Sequence, residues 1–233
     1  PEMQRGFLPD AAGVTNHTDR IIGLWTTSWI VLLAVGVVSW GLMAWALIVY
    51  RRRKGETGLP SQMRYNMPIE TLFTVVPLIL VVGFFAFTAR DMTAIEAKTE
   101  NPDVYIEVIG KQWSWDFNYV DDNVYYSGIQ AQVVGNDENV FETLPTLYLP
   151  VGKTVQIDLS SRDVIHSFWV VEFLYKKDMF PGHTNSMFFT PLEEGTYVGK
   201  CAELCGEYHS MMLFNVKVVS QSEYDAQMSS LAA

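Results

Sequence analysis

Cysteine is almost missing from this 233-residue chain: there are two, Cys201 and Cys205, in one loop. Two cysteines cannot build the dense disulfide framework of a small secreted domain. A bond between them would close so short a loop that it would restrain little of the unfolded chain. Histidine is nearly as scarce, with His17, His166, His183 and His209 the full set. Basic residues number 16 against 26 acids, which argues against nucleic acid as a partner. The deficit is uneven, because from Asp91 onward 21 acids face 8 bases, while the first ninety residues carry 5 and 8. An acidic domain on a near-neutral anchor is expected to attract a basic protein partner through its long-range field. No repeat or low-complexity segment occurs. The chain starts at Pro1 without a charged n-region and short apolar run, which predicts either a removed leader or a start inside a longer product.

Charge is also absent from Ile21 to Tyr50, a run rich in Trp, Leu, Val and Ala. That length spans a bilayer with some tilt. Trp25 and Trp29 at one end and Trp45 and Tyr50 at the other are placed like interfacial anchors. Arg51, Arg52, Arg53, Lys54 and Arg64 then crowd one short loop, which the positive-inside rule assigns to the cytoplasm. A second span is predicted from about Pro68 to Ala89, with Pro77 inside it as a kink and Glu70 at its cytoplasmic start. A glutamate there is favoured by the helix dipole. Both termini, and everything after the second span, are thus expected outside the cytoplasm.

Beyond Asn101 the pattern changes to short alternating runs. Strands are expected at Val104–Ile109, Gln112–Val120, Val124–Ser127, Thr146–Leu149, Thr154–Ser160, Ser167–Glu172, Ser186–Thr190, Thr196–Gly199 and Leu213–Val219. Many short strands between Gly, Pro, Asn and Asp turns predict a β-sandwich or barrel. Trp113, Trp115, Phe117 and Tyr119 alternate with Gln112, Ser114, Asp116 and Asn118, which reads as an aromatic face packed into a core. Val134–Glu142 is polar and expected to be a surface insertion, and a short helix capped by Ser220 or Ser222 should follow the last strand. The organisation expected is a tail (1–20), a transmembrane hairpin (21–90), a linker (91–102), a β domain (103–219) and a terminal helix or tail (220–233).

The cysteine loop carries the chemistry. Cys201-x3-Cys205 is followed by His209 and Met212. Two thiols, an imidazole and a thioether form a soft ligand set suited to copper and ill suited to Mg or Ca. A disulfide and a Cys2His2 zinc site were weighed as the plainer readings, but zinc sites seldom use a thioether. A mononuclear blue-copper site would leave one cysteine unexplained. Two thiolates bridging two copper ions, each completed by a histidine and a weak ligand, would use every residue. For the second histidine, His166 follows a strand-like run, whereas His17 precedes the first span and His183 reads as a solvated turn residue.

C-x-E-L-C-G-x-x-H-x-x-M with an upstream D-V-x-H-S-F resembles the dinuclear copper A centre of cytochrome c oxidase subunit II, and the resemblance extends over the whole chain. It implies two transmembrane helices and a cupredoxin-like Greek-key barrel. It implies Cys201 and Cys205 as bridging thiolates, His166 and His209 as terminal imidazoles, Met212 as the weak thioether and Glu203 as a carbonyl ligand. The Glu203 side chain would reach a Mg or Mn ion shared with subunit I. G-x-Q-W-x-W resembles the family's aromatic segment, which makes Trp113 the residue where electrons enter. P-x-E-x-x-F-T-x-x-P-L-I resembles its second helix, which makes Glu70 a proton-pathway entrance. The chain departs from common family patterns at Lys111, where relatives often carry His, and at His183, where they usually carry Arg. Its aromatic segment and acidic insertion look more like the actinobacterial branch than the mitochondrial one.

The implied function is to accept single electrons from cytochrome c, or from a dihaem cytochrome held in a bc1–oxidase supercomplex. The implied acceptor is haem a of subunit I, where oxygen is reduced and protons are pumped. Implied partners are subunits I and III, further oxidase subunits and the lipid of a bacterial plasma membrane. Three rivals compete with this assignment. A quinol-oxidase subunit II lacks the copper ligands found here, and a structural zinc module has no use for Met212. A membrane-tethered copper chaperone with a C-x3-C motif would carry Pro where Gly206 stands.

Overall fold

The computed structural model describes residues 11–60, 62–131 and 143–232. The expected insertion at Val134–Glu142 lies outside these residues. The chain divides into a helical unit, Ile22–Thr93, and a β unit formed by the residues up to Ile21 together with those from Ala94 onward.

The helical unit is built on α1 (Thr18–Val49) and α2 (Met67–Ile95). Their most apolar windows reach mean hydropathies of 2.2 and 2.5, and no residue of either window is buried by protein. Side chains such as Leu47, Ile48, Trp40 and Phe85 stand exposed, so the helices suit lipid rather than a protein core. Tyr50 packs edge-on against Trp45 at the end of α1. Helix α2 begins with a capping arrangement. Asn66 Oδ1 accepts the amide of Ile69 and Glu70 Oε1 accepts that of Asn66. Pro77 is carried inside the helix, and α2 continues to Ile95, through the start of the segment expected as a linker.

The β unit contains two five-stranded sheets. One runs β3 (Val124–Ser127), β2 (Ser114–Tyr119), β1 (Val104–Lys111), β5 (Val155–Ser161), β8 (Asn185–Phe189). The other runs β4 (Thr146–Pro150), β10 (Leu213–Val219), β9 (Gly195–Cys201), β6 (His166–Val170), β7 (Tyr175–Met179). Pairs β1·β5 and β4·β10 are parallel, and the other ladders are antiparallel. Burial alternates strictly along β1 and β5, as strands with one face on a core require. The core joins Ile106, Val108, Ile157 and Leu159 to an aromatic group of Trp115, Phe168 and Phe214. Phe168 and Phe214 stack with centroids 4.9 Å apart, and a Cβ on Gly199 would collide with the Phe214 ring. Both sheets and the two apolar helices agree with the expected class.

Three local expectations need correction. Gln112 and Trp113 are not strand residues but the two-residue turn between β1 and β2, whose register closes at Lys111↔Ser114. The expected strand Ser167–Glu172 begins at His166 and gives way to a 3-10 turn, Val171–Phe173, which ends on the left-handed Leu174. Strand β7 was not expected, because Lys176, Lys177 and Asp178 break any apolar alternation; its place comes from pairing with β6. The terminal helix α3 (Gln221–Leu231) is capped as expected, with Ser220 Oγ accepting the amide of Glu223.

Residues before α1 belong to the β unit. Thr15 bridges to Pro191, Asn16 Oδ1 accepts the amide of Thr190, and Leu192 donates to the Val14 carbonyl. His17 is buried, its Nε2 donating to Phe188 O at 2.9 Å. Strand β8 is an edge of its sheet, and this strap lies against it. After α2, Glu96 accepts from Tyr175 Oη and pairs with Lys177.

Candidate metal centre

Four sequence segments converge at one end of the β unit. His166 opens β6, Cys201 closes β9, Cys205 lies in the loop beyond, and Met212 ends a 3-10 turn (His209–Met211) just before β10. The ladder fixes this convergence, because Phe168 pairs with Cys201, Ala202 N donates to Ser167 O and Cys201 N donates to Met212 O. His166, Cys201, Cys205 and Met212 are buried, and His209 is half-buried.

The two sulfurs lie 3.8 Å apart and both cysteines are free. A disulfide would bring them to about 2.0 Å. The observed separation is less than twice a metal–thiolate distance of about 2.3 Å, so one ion can touch both. His166 Nδ1 lies 3.9 Å from Cys201 Sγ, and His209 Nδ1 lies 3.5 Å from Cys205 Sγ. Met212 Sδ is 3.7 Å from Cys205 Sγ, and the Glu203 carbonyl oxygen is 3.1 Å from Cys201 Sγ. Ligating atoms of His166, Cys201 and Cys205 all fall within 4.8 Å of one another. The donor set therefore fits a soft metal centre that has an imidazole beside each sulfur.

Charge balance supports the same conclusion. Burial works against a Cys201 thiolate, yet the His166 hydrogen bond and nearby backbone groups lower its pKa to about 7. Burial and the neighbouring Cys201 push Cys205 up to about 12. Without a cation only one thiol ionises readily; a metal ion removes the repulsion that opposes the second. Burial also opposes charge on His166, but Cys201 and Asp163 outweigh it and raise its pKa.

Asp163 holds His166. Its Oδ1 lies 2.8 Å from Nε2, which places the proton on Nε2 and leaves the Nδ1 lone pair towards the sulfurs. The other oxygen of Asp163 accepts the Gln112 amide at 2.7 Å. Burial would raise the Asp163 pKa, but the Gln112, His166 and Val164 donors lower it.

Trp113 sits over the cysteine loop. Its Nε1 donates to Cys205 O at 3.2 Å, beside Gln112 Nε2 at 2.8 Å. The peptide after Cys205 turns beneath them at Gly206, with φ at 122°, where a Cβ would lie 3.2 Å from the indole. Tyr208 packs edge-on against Trp113 with centroids 4.9 Å apart. Glu70 belongs to the helical unit and the Glu203 side chain is exposed. His17 is bonded within the strap and His183 lies exposed beside Phe180, so neither joins the cluster.

Residues 104–219 match the family described as cytochrome c oxidase subunit II, periplasmic domain. A probable cytochrome c oxidase subunit 2 of Streptomyces avermitilis is 48% identical over 247 residues, covering 94% of this chain and 77% of its own. Cytochrome c oxidase subunit 2 of Mycobacterium tuberculosis is 34% identical over 270 residues, covering 96% and 72%. Among solved structures, the periplasmic domain of subunit II of the Bradyrhizobium japonicum cytochrome oxidase superimposes with a TM-score of 0.53 at 28% identity, covering 58% of this chain and 97% of that one.

Proposed function

The chain belongs to the cytochrome c oxidase subunit II family, and from that premise we propose that it accepts electrons for a respiratory oxidase of the actinobacterial type. It is a subunit of an oxidoreductase, and its two apolar helices fit a membrane-anchored protein. In this reading it takes single electrons from cytochrome c, or from a dihaem cytochrome of a bc1 supercomplex, and delivers them to haem a of subunit I. There oxygen is reduced to water and protons are pumped. The observation that carries the reading is the pair of unbonded buried sulfurs, 3.8 Å apart, with an imidazole next to each.

His166, Cys201, Cys205, His209 and Met212, with the Glu203 carbonyl, would hold copper A. When bound, that group would supply a one-electron carrier. The chain's own residues keep this site rigid. Asp163 fixes the His166 ring, the β9–β10 ladder fixes both ends of the cysteine loop, and burial excludes water from the sulfurs. A donor set held in place beforehand needs little rearrangement when its charge changes. Trp113 is the proposed point at which electrons enter, because its indole is bonded to the peptide of Cys205 and is half-buried at the same end.

The remaining assignments rest on resemblance and residue pattern. Arg51–Lys54 would keep the interhelical loop in the cytoplasm, leaving the copper domain and both termini outside the plasma membrane. Glu70 would open a proton pathway into subunit I, and the Glu203 carboxylate would share a Mg or Mn ion with it. Subunit III and other oxidase subunits complete the assembly. The rival copper chaperone is disfavoured by Met212, whose buried contact with Cys205 serves no purpose in a thiol carrier.

Absorption and EPR spectra of the copper-loaded full chain test the reading. A purple chromophore whose hyperfine pattern reports an electron shared over two coppers is expected. A colourless protein holding one zinc would refute it.

A further inference from the structure

Strand β2 buries polar as well as aromatic side chains, and the charged one among them is Asp116. Its side chain is 0% exposed. Four donors from three segments reach it: Lys111 Nζ at 2.6 Å, Arg162 Nη2 at 2.9 Å, Tyr125 Oη at 2.9 Å and Ser127 Oγ at 2.9 Å. Arg162 Nη2 also donates to Tyr125 Oη at 2.6 Å. Each cation is partly exposed, 24% for Lys111 and 52% for Arg162, and would count for little as a surface pair. Sharing one fully buried acceptor changes that, since removing the acceptor leaves two neighbouring cations uncompensated.

The positions of the two cations give this cluster a role. Lys111 immediately precedes Gln112 and Trp113, and Arg162 immediately precedes Asp163. Gln112 and Asp163 are bonded to each other, and Arg162 N donates to Gly110 O at 3.0 Å. From there one oxygen of Asp163 reaches His166, while the Gln112 and Trp113 side chains reach Cys205 O. We propose that Asp116 is a positioning residue that clamps the Trp113 turn to the Asp163 loop, setting the indole and the His166 ring in one register. A single carboxylate thereby governs the seat of the electron acceptor and the approach to it. This rests on the roles given above to Trp113 and His166.

The test is hydrogen exchange read by mass spectrometry on the metal-free and copper-loaded full chain in detergent. Asp116→Asn is expected to speed exchange in peptides covering 110–114 and 161–166 about tenfold more than in β9 and β10, whose rates follow the global loss of stability alone. In the loaded chain, reduction by the cytochrome donor should slow about tenfold at unchanged Kd. Unchanged exchange in either peptide would overturn the proposal. A uniform rise across the β unit would overturn it too, by reducing Asp116 to an ordinary core residue. Should Asp116→Asn not fold, Lys111→Gln takes its place. It should speed exchange in 161–166, a segment to which its ammonium is not bonded, and an effect confined to 110–114 refutes the clamp. Exchange in the metal-free chain reads the clamp alone, whereas a wild-type chain without a two-copper spectrum refutes the metal reading instead.

Discussion

The two ends of the β unit are both polar, and they use polarity in opposite ways. At the end away from the sulfurs, Asp103, Asp121, Asp122 and Asp225 gather around Lys153, Gln221 and Tyr224. Each carboxylate has a structural task. Asp121 accepts the Tyr105 amide, Asp122 accepts the Tyr224 hydroxyl, Asp103 accepts Thr154 twice, and Asp225 accepts Gln221. At the other end the donors are sulfur and imidazole, buried and gathered on one another. A dense cluster of acids therefore marks a well-tied chain terminus, and a sparse cluster of soft donors marks chemistry. The −10 net charge of the chain locates neither.

Substitutions at the two ends can sharpen or break this contrast. Cys205→Ser should have the largest effect, abolishing the two-copper spectrum and lowering bound copper below one ion per chain, measured by elemental analysis. Trp113→Phe should leave that spectrum intact and slow electron uptake more than about tenfold, roughly 1.4 kcal/mol of barrier, in stopped-flow reduction. Asp116→Asn should cost about 3 kcal/mol of stability at pH 7, measured by thermal unfolding.

The pH dependence of that variant has a definite sign. Burial would raise the Asp116 pKa, but Lys111, Tyr125 and Ser127 outweigh it and lower it below the ordinary value. Its contribution is thus present above about pH 4 and is lost as pH falls through the folded value, so the Tm gap to wild type should narrow in acid. At the far end, Ser220→Ala removes the α3 cap and should cost about 1 kcal/mol without touching the copper spectrum. Asp225→Asn should change stability by less than about 0.5 kcal/mol and leave donor affinity unchanged. A strong loss of copper from either far-end change would erase the contrast.

Much of the architecture is legible in the residues because it is periodic. Long apolar runs give the helices, and alternation such as Val104-Tyr105-Ile106-Glu107-Val108 gives β1. The cysteine loop of the candidate site is legible because four possible donors lie within twelve residues, and His166, which the fold brings beside the sulfurs, could be picked from four histidines. What escaped was set by strand pairing and side-chain contacts rather than by residue pattern. Strand β7 is charged and takes its conformation from β6; the Gln112–Trp113 turn hides inside an alternation that continues through it. Asp163 and Asp116 look like ordinary acids until Lys111, Arg162 and His166 arrive from other strands.

The strap formed by Val14 to Thr18 has a practical corollary. A soluble fragment beginning after the second helix would leave Phe188 O without its imidazole donor and strip the flank of β8. Anyone excising the β unit for spectroscopy would do well to graft those N-terminal residues back through a short linker. The β unit is flanked by a piece of chain synthesised before either hydrophobic helix, so in the cell this seam joins segments the ribosome made far apart.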